Sequence, residues 1–160
     1  MTAYDGHPVS AGPRQATAAD AATVAHLLDD FNREFDTPTP GVDVLRPRLE
    51  RLLAPGDVVA LLVGEPPTGV AVLTFGPNVW FDGPVALLDE LYVRPDLRGR
   101  RLGSALLDAA CDLVRERGGE LLEVNVDGDD TDARRFYEAR GFLNTDPGQT
   151  DPMLYYFREL

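Results

Sequence analysis

The sequence predicts a mixed α/β domain in which strands and helices are interleaved along the chain. Three patterns predict this class: helix-period apolar positions near the start, an apolar meander in the middle, and alternating strand and helix patterns afterwards. The length of 160 residues suits one domain with its own core. We expect a loose, polar N-terminal tail over residues 1–12 and a single domain over residues 13–160.

Two helices are predicted in the first part of the chain, after a short strand over residues 12–17. Apolar residues recur at helical spacing as far as Phe35, and the Pro-rich segment 37–41 then breaks this first helix. The second helix is predicted over residues 42–53, because Pro55-Gly56 follows directly. Both helices therefore precede the main run of strands.

The middle of the chain predicts an antiparallel meander. Apolar runs cover residues 58–63 and 69–75, and the Gly/Pro-rich linker between them is a hairpin signal. The next run, residues 85–93, is rich in leucine and is therefore expected to be a central strand.

Strands and helices alternate in the remainder of the chain. The predicted elements are a long helix over 101–117, a strand over 121–126, a short helix over 131–140, a strand stub at 141–143 and a last strand over 153–158. Together the patterns predict a sheet of about six to seven strands flanked by about four helices.

Composition and charge exclude several classes of function. The net charge of −12 argues against nucleic-acid binding, which depends on neutralising phosphates over a wide surface. No apolar run approaches a membrane span, and the start of the chain lacks a signal-peptide apolar region. The single cysteine, Cys111, fits a reducing cytoplasm, and two histidines leave no His/Cys metal cage. We therefore expect a cytoplasmic protein with no nucleic-acid partner, no membrane contact and no metal.

The segment Arg94–Ser104 concentrates positive charge in an acidic chain. It places four arginines and two glycines between a predicted strand and the long helix. A helix N-terminus presents unpaired N–H groups and the positive end of the helix dipole, which together favour a phosphate. This pattern predicts an anion site, with a solvated arginine-rich turn as the alternative.

Other phosphate and catalytic motifs fit this segment less well. A P-loop requires a lysine, and the chain has none. The dinucleotide fingerprint requires a third glycine, and no nucleophile elbow surrounds Ser104.

The order of elements and the Arg/Gly turn resemble the GNAT superfamily of acyl-CoA-dependent N-acetyltransferases. The family signature is Arg or Gln, two residues, Gly, one residue, then Gly or Ala, and the chain reads Arg98-Gly99-Arg100-Arg101-Leu102-Gly103. Arg101 replaces the middle glycine, which is tolerable if the backbone there stays helical. The resemblance covers most of the chain, is strongest over residues 87–142, and implies a GNAT-like, mostly antiparallel central sheet.

A second stretch, residues 130–142, looks like the family's second cofactor motif, with Asp130 in place of an asparagine. The resemblance implies acetyl-CoA as cosubstrate, with pantetheine on the main chain of Leu91 and Val93 and the pyrophosphate on N–H groups of residues 98–104. An N–H near Tyr92 would polarise the thioester carbonyl. The implied cofactor-binding residues are Leu91, Tyr92, Val93, Arg98, Gly99, Arg100, Arg101, Leu102, Gly103, Ser104, Asn125, Asp130 and Arg134.

Alternative roles remain for three of these residues. Asn125 is also suited to capping the turn that follows its strand. Asp130, with its neighbouring aspartates, is expected to cap the next helix rather than to hold a metal. Arg134 is equally consistent with an exposed helix arginine.

Three residues are predicted to act in catalysis. An amine nucleophile must lose a proton, and Glu90 is the first choice for the base because it shares a strand face with Tyr92. Asp89 is the alternate; strand alternation puts the two acids on opposite faces unless a bulge intervenes. Tyr137 matches the position of the family's usual proton donor to the thiolate. The alternatives are solvated strand carboxylates and a packing tyrosine.

The acceptor is predicted to be a primary amine of a small molecule. Trp80, Phe81 and Asp82, together with Phe31, Phe35 and the 37–41 loop, suggest an aromatic, acidic entrance suited to a cation. The alternatives are a protein N-terminus or lysine as acceptor, or an acyl-CoA sensor without turnover. Tyr155-Tyr156-Phe157 are expected to line either a sheet edge or a homodimer contact.

Overall fold

The computed structural model describes residues 12–160, so nearly all of the predicted N-terminal tail lies outside the described residues. Within them, two compact units divide after Glu123, and the second spans Val124–Leu160. The strands are β1 Arg14–Gln15, β2 Val58–Val63, β3 Gly69–Gly76, β4 Val85–Val93 and β5 Leu121–Val124. The helices are α1 Ala21–Glu34, α2 Val42–Leu53, α3 Leu102–Glu116 and α4 Thr131–Glu138, with 3-10 turns at Ala18–Asp20 and Pro95–Leu97.

The five described strands form one sheet in the order β1-β2-β3-β4-β5. The first three pairings are antiparallel, as the predicted meander requires. Pairing of β3 with β4 runs from Gly69 opposite Val93 to Gly76 opposite Val85. The register shifts by one residue between Val72 and Leu73, which marks a β-bulge in the middle of the pair.

Helices cover both faces of the sheet in the first unit. On one face, α1 and α2 form a buried cluster with sheet residues that include Val70, Val72 and Tyr92. Helix α3 contacts β2, β3 and β4, and it buries Leu106 and Val114. Because strand side chains alternate between faces, Val72 and Tyr92 point toward the face covered by α1 and α2.

The second unit contains helix α4 and the C-terminal segment. Asp130 caps the helix, since its Oδ1 accepts a 2.9 Å hydrogen bond from the N–H of Ala133, which confirms the predicted capping role. At the other end, Gly141 adopts a left-handed backbone with φ of +85°. The N–H of Phe142 donates back to the carbonyl of Tyr137 at 3.1 Å. Gly141 and Phe142 therefore close the helix as a C-terminal cap.

The prediction of six to seven strands is wrong, because the described residues form five. The short strand predicted at 141–143 does not form, because the backbone of these residues caps the C-terminus of α4. Residues 153–158 also form no strand, although their composition favours one. No helix within residues 12–160 is both long and apolar enough to cross a membrane.

Candidate functional site

The bulge in β4 brings two carboxylates to one face of the sheet. Val72 is paired with Glu90 and Leu73 with Leu88, so Asp89 is the extra residue. Thr74, which shares the face of Val72, donates from Oγ1 to Oδ2 of Asp89 at 2.5 Å. Asp89 and Glu90 therefore both point to the α1/α2 face, whereas regular alternation predicts opposite faces.

The surroundings of Glu90 change its acidity. It is half-buried, and among residues 12–160 no donor forms a hydrogen bond to its carboxylate. Burial, followed by repulsion from the adjacent Asp89, raises the pKa of Glu90 from 4.5 to about 6. A carboxylate of this kind is mostly ionised at neutral pH and is still basic enough to accept a proton. Asp89 is exposed and its oxygen is engaged by Thr74.

The turn after β4 presents open backbone amides. Within the described chain, no backbone carbonyl accepts from the N–H groups of residues 99–103; the first helical bond runs from Ala105 to Arg101 at 3.0 Å. The preceding amide, that of Arg98, donates to the carbonyl of Pro95 at 3.4 Å. A Cβ on Gly99 would meet nothing within 4 Å. This arrangement offers several N–H donors to an anion at the start of α3.

The four arginines of the turn divide into two groups. Arg94 lies 3.4 Å from Asp96, and Arg98 forms a two-pronged pair with Glu34. Arg100 and Arg101 are exposed, and neither belongs to an ion pair among residues 12–160. The unneutralised positive charge therefore lies next to the open amides.

Arg98 acts as a clamp in the turn. Its Nη1 and Nη2 donate to the carboxylate of Glu34 at 2.6 and 2.7 Å, and its Nε donates to the carbonyl of Val93 at 2.9 Å. The guanidinium also lies 5.7 Å from the ring centroid of Tyr92. It thus connects the end of β4 to α1. The sequence did not predict Glu34 as a partner of Arg98, because the two residues are 64 positions apart and no local motif links them.

Arg101 has a left-handed backbone, with φ of 63° and ψ of 15°. The helical conformation expected from the sequence is therefore wrong for this residue. Only glycine adopts the left-handed region without steric cost, which explains why the family signature has glycine here. For an arginine the conformation costs roughly 1–2 kcal/mol.

Two of the predicted residues of the second unit, Arg134 and Tyr137, have structural contacts within that unit. Arg134 donates to the carbonyl of Gly128 at 2.9 Å, and Asn125 is exposed directly after β5. The buried ring of Tyr137 packs edge-on against Phe136 and Phe142, with centroid distances of 5.1 and 5.4 Å. Their cofactor and catalytic roles remain predictions.

Part of the predicted aromatic entrance is assembled on the α1 side of β4. The ring of Phe31 stacks on Tyr92 with a centroid distance of 5.2 Å, and Phe35 meets Phe31 edge-on at 5.4 Å. The 37–41 loop is fastened to α1 because Thr39 donates to buried Asp29 at 2.7 Å. Hydrogen bonds from Arg33 and then Thr39 hold the pKa of Asp29 below its usual range. Trp80 lies elsewhere, on the β3–β4 loop, with 86% of its surface exposed.

Comparison with known proteins identifies the class to which this fold and site belong. Residues 22–142 match the model of the acetyltransferase (GNAT) family. The match covers most of the chain, from α1 to the residue that closes α4, so the protein belongs to this family. GNAT acetyltransferases use acetyl-CoA as the acyl donor.

Individual relatives support the same family. The chain is 41% identical over 68 residues to a mycothiol acetyltransferase of Beutenbergia cavernae, a match covering 41% of this chain but only 23% of that enzyme. It is 27% identical over 131 residues to the N-acetyltransferase YhfO of Bacillus subtilis, covering 81% of this chain and 87% of YhfO. A crystal structure is known of a protein from Arthrobacter sp. FB24 that is assigned as an acetyltransferase. Its sequence is 70% identical to this chain, and the two folds superpose with a TM-score of 0.90 over 98% of this chain and 100% of the other.

Proposed function

We propose that this protein transfers the acetyl group of acetyl-CoA to a primary amine of a small molecule. The observation that carries the proposal is the set of open amides at residues 99–103 beside Arg100 and Arg101, which have no ion-pair partner among residues 12–160. A diphosphate needs both N–H donors and positive charge, and this turn supplies the two together. The acyl donor would supply an activated thioester, whose carbonyl carbon is the point of attack.

The amides of residues 99–103 would hold the diphosphate of the donor. Arg98 and Glu34 would fix the turn rather than contact phosphate, since their charged groups satisfy each other at 2.6 and 2.7 Å. The carbonyl of Val93 is already bonded to Arg98, which leaves its N–H and the main chain of Leu91 for pantetheine. The N–H near Tyr92 would then polarise the thioester carbonyl.

Glu90 would act as the general base toward the acceptor. As the amine nitrogen bonds to the acetyl carbon and the carbon–sulfur bond breaks, the proton of the amine passes to the Glu90 carboxylate. A carboxylate with a pKa of about 6 accepts a proton more readily than one with the ordinary value of 4.5. Asp89 would raise that pKa by its charge, while Thr74 holds it in place. Tyr137 would give the departing thiolate its proton.

The acceptor is proposed to be small and cationic before deprotonation. Phe31, Phe35 and Tyr92 form an aromatic wall on the face that carries Glu90, and aromatic faces beside carboxylates suit ammonium groups. The relative from Beutenbergia cavernae is named a mycothiol acetyltransferase.

A thiol-release assay with a panel of amines tests the proposal. We expect acetyl-CoA-dependent release of free thiol with at least one small amine, and a loss of roughly a hundredfold or more in Glu90→Gln. Glu116→Gln, at an exposed position of α3, is the matched control and should keep full activity. Binding of acetyl-CoA without turnover on any amine would indicate a sensor, and turnover only on peptide N-termini or lysines would indicate a protein acetyltransferase.

A further inference from the structure

The face of the sheet that carries Glu90 has a cavity beyond the part covered by α1 and α2. On this face of β3, Val70 and Val72 are buried, whereas Thr74 is exposed and Gly76 is half-buried. The cavity has a volume of about 300 Å³, and its walls come from β3, β4, β5 and the β3–β4 loop. Every lining residue belongs to the first unit. We call this space the sheet cavity.

The sheet cavity combines an apolar wall with unpaired negative charge. Pro77, Val85 and Leu87 contribute apolar side chains, which suit an alkyl chain. Asp89 and Glu123 contribute carboxylates, and among residues 12–160 neither of them forms an ion pair. An apolar pocket with a few charged groups fixes both the position and the direction of a small ligand. These walls therefore suit an alkyl chain that ends in an ammonium group.

The sheet cavity lies a short distance from the proposed general base, on the same face of the sheet. Glu90 is paired with Val72 and Leu87 with Thr74, so the two pairs are two residues of β3 apart. That separation is roughly 7 Å along the strand. An extended chain of about four to six methylene groups spans it. One small molecule can therefore present an amine to Glu90 and place its other end in the sheet cavity.

We propose that the sheet cavity selects the acceptor, and that the acceptor is a linear diamine with an ammonium group at each end. This inference rests on the proposed acetyl transfer. The near amine loses its proton to Glu90 as its nitrogen bonds to the acetyl carbon, and the carbon–sulfur bond breaks to release the thiol. The far ammonium keeps its charge and binds the carboxylates of Asp89 and Glu123, with the alkyl chain against Leu87.

The same arrangement limits the reaction to one acetyl group per diamine. Acetylation converts the near amine into a neutral amide. To present its second amine to Glu90, the product would have to place this amide in the sheet cavity, where it offers no positive charge to the two carboxylates. We therefore expect the monoacetylated diamine as the main product.

A matched set of amines tests the selection. Cadaverine, pentylamine and aminopentanoate have chains of similar length, and their far ends are an ammonium, a methyl group and a carboxylate. We expect kcat/KM for thiol release to be about tenfold or more higher with cadaverine than with pentylamine, and lowest with aminopentanoate. Mass spectrometry should show monoacetylated cadaverine. Equal kcat/KM for cadaverine and pentylamine, or ready diacetylation, would overturn the diamine proposal while leaving acetyl transfer itself in place.

Two variants test whether the sheet cavity makes this selection. Glu123→Gln removes one carboxylate and should lower kcat/KM for cadaverine about tenfold, with little effect on pentylamine. Leu87→Phe fills part of the cavity and should lower kcat/KM for both of these amines but not for the short ethylamine. Glu116→Gln and Leu52→Phe, at exposed positions of α3 and α2, are the matched controls and should behave as wild type. Wild-type selectivity in Glu123→Gln would overturn the assignment.

The fluorescence of Trp80 gives a readout that does not depend on turnover. Trp80 is the chain's single tryptophan, and its backbone N–H donates at 2.9 Å to Oδ1 of Asn78, which lines the sheet cavity. Titration with cadaverine, with free CoA present, should change the fluorescence saturably, and Glu123→Gln should raise the Kd about tenfold. Absence of a saturable change would overturn the site. Binding of cadaverine without its acetylation by acetyl-CoA would instead overturn acetyl transfer and the role of the diamine as acceptor.

Discussion

The raised pKa of Glu90 predicts a distinctive pH profile. A base must be ionised to accept a proton, so kcat/KM should rise with pH through the pKa of Glu90. With a pKa of about 6, the ionised fraction at pH 5 is about one tenth. With the ordinary value of 4.5 that fraction would be about three quarters. The structure therefore predicts roughly a tenfold loss of kcat/KM between pH 8 and pH 5 from this group alone.

The acceptor amine also titrates, but its titration is the same for every variant of the enzyme. A comparison of variants therefore isolates the contribution of Glu90 to the pH dependence of kcat/KM. Asp89→Asn removes the like charge that helps to raise the pKa of Glu90, while its amide oxygen still accepts from Thr74. The acid limb of its kcat/KM profile should therefore move to lower pH. Steady-state thiol release over the pH range, with one acceptor throughout, measures the shift. Superimposable profiles of the wild type and Asp89→Asn would refute the proposed coupling.

Stability provides an independent check on the same carboxylate. Because the folded state raises the pKa of Glu90, its contribution to stability is fully present below pH 4.5 and is lost as pH rises through about 6. The glutamine of Glu90→Gln carries no negative charge at this half-buried position at any pH. It should therefore gain stability relative to the wild type at pH 8 and show little relative gain at pH 4, as measured by urea denaturation. A gain of equal size at both pH values would contradict this electrostatic account.

The turn after β4 gives three further predictions. Gly103→Glu should abolish CoA binding in calorimetry by placing a carboxylate at the proposed diphosphate site, while Gly12→Glu, at a glycine with nothing within 4 Å, should not; unchanged affinity in Gly103→Glu would contradict the placement. Glu34→Gln should lower the free energy of unfolding by about 1 kcal/mol, because the ion pair with Arg98 has two hydrogen bonds but is partly exposed to solvent. The same variant should weaken CoA binding, because the turn is then held less firmly. Wild-type values for both quantities would show that the Arg98–Glu34 pair is not needed. Arg101→Gly should relieve the left-handed strain and stabilise the fold by up to about 1 kcal/mol, while weakening CoA binding through the lost cation; a destabilised variant would refute the strain.

Local sequence patterns predict most of this fold because its main elements are amphipathic or uniformly apolar. The predicted helix at 42–53 and the predicted strands at 58–63 and 85–93 agree with the bounds of α2, β2 and β4. The two predicted strands that do not form both lie near the C-terminus. Residues 141–143 carry a strand-like Gly-Phe-Leu pattern but serve to cap a helix, and residues 153–158 have strand composition but form no strand. Composition predicts the tendency to form a strand, but pairing decides whether one forms.

The candidate site was predictable only where a motif is continuous in the sequence. The anion site at residues 98–103 can be predicted from those residues alone, because arginines and glycines at the start of a helix form a pattern that is continuous in the sequence. The Arg98–Glu34 pair spans 64 positions, and the shared face of Asp89 and Glu90 depends on a register shift set by β3. Pairing between distant segments produces both features, and periodicity within one segment does not contain that information.

Two local irregularities lie at the proposed site: the bulge in the middle of β4 and the left-handed residue Arg101 just before α3. The bulge places two like charges side by side on β4, and burial, followed by the charge of Asp89, raises the pKa of Glu90 to about 6. The left-handed backbone at Arg101 costs roughly 1–2 kcal/mol at a position where glycine would cost little. Neither feature improves packing, since Asp89 and Arg101 are both exposed. Conformations that cost stability without burying surface are characteristic of functional sites, and here they lie at the positions proposed for the general base and for diphosphate binding.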